Sequence, residues 1–178
     1  MLANFPAALA FVKSAEGNFT NSSADPGGMT NMGITKASWE AYVGAPVTET
    51  DMRTITPTQA AVFYRTEYWN KAHCSELPSG LDLCVFDFAV NAGVSRAIQF
   101  LQRLVSVTPD GAFGPLTSKM VSKYVADNGI VSAIKAYQDM RRTYYVRLPN
   151  AAIFGVGWVR RVNAGTNTAL QLAGAVTA

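Results

Sequence analysis

Apolar positions recur at helical spacing along most of this chain, and glycines, prolines and short polar residues fall where the runs must stop. Pro6 suits a first helical turn, and Leu9, Val12 and Ala15 with Glu16 follow on one face up to Gly17. Residues 18–33 are rich in Asn, Ser, Asp, Pro, Gly and Thr, which predicts a loop able to hold a short hairpin. Ile34-Thr35 leads into a helix holding Trp39, Tyr42 and Val43, closed by Gly44. Thr56-Pro57-Thr58-Gln59 reads as a capping box with proline in the first turn, opening a helix with Ala60, Val62, Phe63, Tyr64, Tyr68 and Trp69. Ser79 is expected to start a helix over about Leu81 to Ala92 that is apolar nearly all round, and so belongs in the middle of the fold. Its polar members Asp87 and Asn91 are one helical turn apart and share a face, where they need partners or a wet cleft.

After Gly93, Ser95 is expected to cap a helix with Ile98, Leu101, Gln102 and Val105. Pro109-Asp110-Gly111-Ala112-Phe113-Gly114-Pro115 reads as a turn in which Gly111 and Gly114 meet backbone demands. Pro115 leads a helix through Met120, Val121, Tyr124 and Val125, and another runs from about Val131 to Arg147. Leu148-Pro149-Asn150 breaks it, and a last helix is expected from Gly157-Trp158 to about Ala175, with Trp158 read as core rather than ligand contact. The pattern is mainly α. No linker is long or polar enough to force two independent units, so residues 1–178 are expected to form a single domain, with an N-terminal portion over residues 1–75 and a helical portion over residues 76–178.

Composition narrows the class. The chain has 178 residues, about half of them apolar and 15% charged, enough for one substantial core and without the signature of disorder. No apolar run is long enough to span a bilayer, so no stable membrane insertion is expected. Met1-Leu2-Ala3-Asn4-Phe5-Pro6 lacks a basic start and a long apolar stretch, so no signal peptide is expected and release from the cytoplasm would need another route. Charge is uneven: residues 119–178 carry eight Lys or Arg against Asp127 and Asp139. That basic third is either an ordinary set of solvated helix faces or a surface for an anionic polymer such as cell wall. Zinc spacing, an arginine-rich run and interleaved basic and aromatic residues are all missing, so a nucleic-acid partner is not expected. Cys74 and Cys84 fit neither a redox pair nor a metal knuckle, and Cys84 reads as a buried thiol. His73 is the single histidine and reads as a surface or interface residue, which disfavours a histidine triad or a multi-histidine metal site. No metal and no organic cofactor are expected.

The chemistry concentrates near the N-terminus. Glu16 closes the first helix, and Asp25 follows in Asp25-Pro26-Gly27-Gly28-Met29-Thr30-Asn31-Met32-Gly33-Ile34-Thr35. By itself Glu16 is a solvated helix-end acid, and Asp25 is a residue that bonds its own turn. Together they can be the two carboxyl groups of a glycosidase, one held protonated and one ionised or positioning water. The ordered set Glu16-Gly17, Asp25 to Thr30 and Gly33-Ile34-Thr35 resembles the glycoside hydrolase family 108 muramidases, which include phage endolysins and bacterial secretion-associated enzymes. Tyr64-Arg65 with Tyr68-Trp69, Asp87, Val90-Asn91-Ala92-Gly93, Leu101-Gln102, Asp110-Gly111, Gly114-Pro115-Leu116-Thr117, Phe154-Gly155 and Gly157-Trp158 with Arg160-Arg161 extend the resemblance over roughly residues 5–165. The family usually has a second glycine after Glu-Gly, where this chain has Asn18, a residue that tolerates left-handed backbone.

The resemblance implies a lysozyme-like, mainly α fold. A small N-terminal lobe with a loop or short hairpin would pack on a helical C-terminal lobe resembling a predicted peptidoglycan-binding region. It implies hydrolysis of the β-1,4 bond between N-acetylmuramic acid and N-acetylglucosamine in peptidoglycan glycan strands, by a monomer acting on the cell wall in the periplasm. Glu16 would be the general acid and Asp25 the second catalytic carboxylate. Thr30, Asn31, Thr35, Tyr68, Trp69 and Asn91 are the candidate substrate contacts, with Phe11, Val12, Phe19 or Trp69 as apolar wall. Two alternatives stand beside this: a lytic transglycosylase cutting the same bond without adding water, and a peptidoglycan-binding module without catalysis.

Overall fold

In the computed structural model, which describes residues 2–14 and 28–174, the chain is mainly helical. Glu16, Gly17, Asn18, Phe19 and Asp25 lie outside the described residues. A single 3-10 turn leads into α1 (Phe5–Ser14), which buries Phe5, Ala8, Leu9 and Val12 at helical spacing. A two-stranded antiparallel hairpin follows, β1 (Thr30–Asn31) and β2 (Ile34–Thr35), pairing Thr30 with Thr35 and Asn31 with Ile34. Met32 and Gly33 form its two-residue turn with φ of 51° and 77°, the left-handed pair that suits strand twist. The Tyr64 hydroxyl donates to the Met32 carbonyl at 3.0 Å and pins that turn to the helical body.

α2 (Lys36–Val43) is capped by Thr35 and stopped by Gly44 at φ 75°. α3 (Glu49–Arg53) has a Thr48/Asp51 capping box that the apolar pattern alone does not reveal, since the helix is five residues long with Met52 as its buried member. α4 (Pro57–Tyr64) begins with the expected Thr56/Gln59 box. It then widens into a π turn over Arg65–Asn70, which changes the facing of Tyr68 and Trp69. A 3-10 turn over Cys74–Glu76 precedes α5 (Leu81–Ala92), in which every residue from Leu81 to Ala89 is buried.

α5 packs against α1, α6 (Val94–Leu104), α8 (Ile130–Val146) and α9 (Ala151–Leu172), and α7 (Pro115–Asn128) lies against α8. Rings link the N-terminal elements to it: Trp69 meets Phe5 and Phe86 edge-on, each at 5.4 Å. One cluster of buried apolar side chains runs from Phe5 to Ala169.

Four local expectations are corrected. Ser79 does not cap α5; Asp82 accepts from the Gly80 and Leu83 amides, each at 2.8 Å, and Ser79 instead donates to the Leu172 carbonyl at the end of α9. Ser95 lies inside α6, which starts at Val94 after Gly93 without a side-chain cap. α9 starts at Ala151, not near Gly157: its packing along α8 outweighs the ~1 kcal/mol by which each interior glycine weakens a helix. In the 109–115 turn, Gly111 does meet a backbone demand, with φ 81° and a Cβ position 2.2 Å from Ser95 Oγ, but Gly114 is extended and faces open space.

Candidate active site

α1 ends at an open cleft of about 510 Å³. Phe11 and Ser14 form its α1 side, Asn91 at the end of α5 its base, and Gly157, Trp158, Arg160, Arg161 and Ala164 of α9 the facing wall. The α9 residues recur at helical spacing, so one helix presents an indole and two guanidinium groups together. The Asn91 amide nitrogen donates to the Asp87 carbonyl at 2.7 Å and lies 3.4 Å from its carboxylate. That orientation leaves the amide oxygen as an acceptor for whatever enters.

Beneath Asn91 lies a buried charge network. Asp87 is fully buried and accepts from Arg141 Nη2 at 2.7 Å and from Arg161 Nε at 2.9 Å, one arginine on each carboxylate oxygen. Burial acts to lower the Arg141 pKa, but the Asp87 charge together with Tyr145 and Tyr137 outweighs it, and the pKa is raised. Arg141 also sits 4.8 Å over the Phe88 ring and donates to Gln138 Oε1 at 2.9 Å. The network fixes Arg161 in the cleft wall. Two arginines share one carboxylate, so the wall is cationic before the exposed Arg160 is counted.

Of the expected contact residues, Asn91 is the one on this wall among the described residues. Trp69 is corrected to a core residue: its side chain is fully buried and its indole N–H donates to Ser75 at 2.8 Å, because the π turn rotates it inward. Asn31 is likewise corrected. It is 7% exposed, and its amide donates to the Met52 carbonyl at 2.8 Å, tying the hairpin to α3. Thr35 is the cap of α2, accepting from the Ser38 amide at 3.2 Å. Thr30 is half-buried, with its hydroxyl 3.4 Å from the Gly28 carbonyl. Tyr68 is half-buried with its ring 5.8 Å from Tyr64. Val12 belongs to the core, whereas Phe11 does stand on the cleft.

Sequence reasoning missed Arg160 and Arg161 as site residues, and Trp158, read as core, both packs against the core and lines the cleft. Their shared face follows from the helical spacing, but nothing local to that helix places it opposite the end of α1. Among the described residues no group of histidine, cysteine and carboxylate side chains could hold a metal ion, and no helix is long and apolar enough to cross a membrane.

Comparison with known proteins agrees with this arrangement. Residues 9–93 match the family described as Glycosyl hydrolase 108, and residues 96–163 match one described as Predicted Peptidoglycan domain. The two matches meet at the cleft, whose α1 and Asn91 side falls in the first and whose Trp158, Arg160 and Arg161 fall in the second. Among solved structures the chain is similar to Brucella abortus SagA, with 35% identity, 97% of each chain covered and a TM-score of 0.88. No curated protein matches the chain. The fold is thus lysozyme-like, and the chain belongs to the glycosyl hydrolase 108 family, as a glycosidase that acts on peptidoglycan.

Proposed function

We propose that this chain is an N-acetylmuramidase of endolysin type, hydrolysing the β-1,4 bond between N-acetylmuramic acid and N-acetylglucosamine, with Glu16 as general acid. The observation that carries the reading is the position of Ser14. It lies on the rim of the cleft at the end of α1, and Glu16 follows two residues later, a reach of roughly 7 Å at full extension. In this reading a glycan strand lies against Trp158, and the Asn91 amide oxygen accepts from an acetamido N–H. Thr30 and Tyr68 remain candidates for sugar hydroxyls from the hairpin side. Glu16 protonates the leaving glycosidic oxygen as the C–O bond breaks and positive charge develops on the sugar ring. Asp25 stabilises that charge or directs the water that ends on the new reducing sugar.

The cationic wall constrains the chemistry. A general acid in this cleft must hold its proton against the arginines, which favour the ionised form of a nearby carboxyl group. The same arginines can donate to the carbonyl oxygen of the lactyl group that distinguishes muramic acid from glucosamine, which in peptidoglycan is amide-linked to the peptide stem. We further infer that the chain works as one unit, residues 1–178, because α5 underlies both halves of the cleft, and that it acts as a monomer on the wall after release from the cytoplasm.

The test is digestion of purified sacculi by wild type and Glu16→Gln, with products read by mass spectrometry. Wild type should release muropeptides with reducing ends, and the variant should lose roughly a hundredfold or more of that activity while keeping its circular dichroism. Undiminished digestion by Glu16→Gln would remove Glu16 as the acid, anhydro ends would reassign the enzyme as a lytic transglycosylase, and sacculus binding without soluble products would leave a non-catalytic module.

A further inference from the structure

A second opening lies between α6 and α8. It is a groove of about 420 Å³ lined by Phe100 and Arg103 of α6 and by Asp139, Met140, Thr143, Tyr144 and Arg147, most of them on α8. None of these residues belongs to the cleft, and all fall within the 96–163 segment that matches a peptidoglycan domain. The Arg103 guanidinium lies 5.2 Å over the Phe100 ring. Arg96, just outside the groove, lies 5.2 Å over Tyr144 and donates to its hydroxyl at 2.8 Å. Arg103 and Arg147 are both exposed. The groove's single carboxylate, Asp139, is paired with Arg142, so the groove presents net positive charge.

An apolar floor edged by arginines is suited to a ligand that carries small methyl groups beside carboxylates. Glycan chains with their lactyl groups amidated lack those carboxylates; the peptide stems hung from them, in which alanine methyls flank glutamate and diaminopimelate carboxylates, have both. We propose that the α6–α8 groove binds the peptide stem of peptidoglycan, with Arg103 and Arg147 bonding its carboxylates and Phe100, Met140 and Tyr144 carrying its methyls. Arginine suits this role because its planar fork meets a carboxylate through two parallel N–H donors, and stacking on a ring holds the fork ready. The proposal rests on the reading of the chain as a peptidoglycan enzyme and adds a second point of attachment outside the cleft. Because a strand carries many stems, holding one stem raises the local concentration of glycan at the cleft.

The experiment compares wild type with the Arg103→Gln/Arg147→Gln double variant on three probes: the free stem tetrapeptide, intact sacculi, and glycan strands stripped of peptide by an amidase. Amide chemical shifts of Phe100, Thr143 and Tyr144 should move with tetrapeptide in wild type and stay still in the variant. Sacculus affinity should fall about tenfold or more in the variant, and cleavage of stripped strands should be equal for both proteins. Unmoved amides in wild type, or equal sacculus affinity in the two proteins, overturns the proposal. Failure of wild type to cleave stripped strands would instead count against the muramidase reading, so the two failures are distinguishable.

Discussion

Asp87 is the residue on which most of the site's electrostatics depends. It is fully buried, and its two oxygens serve arginines on two different helices, one of which reaches the cleft. Replacing one partner of such a network leaves buried charge uncompensated, which costs about 3–5 kcal/mol. Asp87→Asn should therefore lower the midpoint of thermal unfolding by roughly 10 °C, measured by calorimetry, even though the substitution changes few atoms. Two expected sugar contacts separate in the same way. Trp69→Ala should destabilise by about 3–5 kcal/mol in urea, because its ring fills the junction of α1, the π turn and α5. Asn91→Ala should change stability by less than about 1 kcal/mol and raise KM for sacculi, because the side chain faces the cleft. Arg160→Gln removes positive charge from the wall that faces the end of α1. With Glu16 as the proposed general acid, it should shift the alkaline limb of the wall-digestion pH profile upward, because there is then less positive charge to favour the ionised form. An unmoved limb would place the acid beyond the influence of Arg160.

The turn between α6 and α7 shows how a loop motif is held by a helix. Gln102 on α6 is buried, and its side chain donates to Asp110 Oδ1 at 2.7 Å and the Ala112 carbonyl at 3.0 Å while accepting from the Gly111 amide at 2.9 Å. These bonds account for Asp110-Gly111 as backbone geometry, without a ligand. Gln102→Leu should cost about 2 kcal/mol and speed exchange of the Gly111 amide far more than that of amides in α5. α9 shows the opposite balance, with weak local preference and strong tertiary support. Its glycines and exposed Ile153, Phe154 and Val156 give a poor amphipathic signal, yet Gly155, Val162, Gly165, Thr166 and Ala169 are buried along its length. Small residues there let α9 approach closely, and Gly165 already has Phe11 within 3.2 Å of a would-be Cβ.

At the scale of the whole molecule, both thiols report on the core. Cys74 and Cys84 are buried thiols outside any disulfide, and desolvation raises both above their ordinary value. Neither should react with a thiol reagent in the native protein, and both should react at the global unfolding rate in denaturant. Acid sensitivity should follow from Glu40, Asp51 and Asp110, whose carboxyl groups are lowered chiefly by bonds from Lys36, from the Thr48 amide and from the Ala112 amide respectively. A depressed carboxyl group stabilises the fold above its unfolded value and loses that contribution as pH falls through its folded value. Stability should thus decline below about pH 4.5, the ordinary value for Glu40, and continue to fall below 3.8, that for the aspartates. Asp82 runs the other way: burial raises it, so its ionisation opposes folding and protonation relieves the strain. Denaturation series at several pH values should show the gap between wild type and Asp110→Asn shrinking in acid.

Local patterns along the chain were enough to determine most of the helical elements, though not α3 or the start of α9, together with the Thr56 start, the buried course of α5 and the placing of Asp87 and Asn91 on one face, because each depends on residues within a turn or two of one another. The family was legible for a similar reason, as short motifs recurring in order from Glu16 to Arg161. Tertiary structure decided what lay across the molecule. It turned Trp69 inward on a π turn and used the Asn31 side chain to bind α3. It replaced Ser79 and Ser95 as caps, began α9 six residues early, and set the face with Trp158, Arg160 and Arg161 opposite the end of α1. Those outcomes depend on burial and hydrogen-bond partners as many as 93 residues apart, as between Ser79 and Leu172. A sequence window holds no such pairs, and their energies exceed the local preferences that would have placed these side chains otherwise.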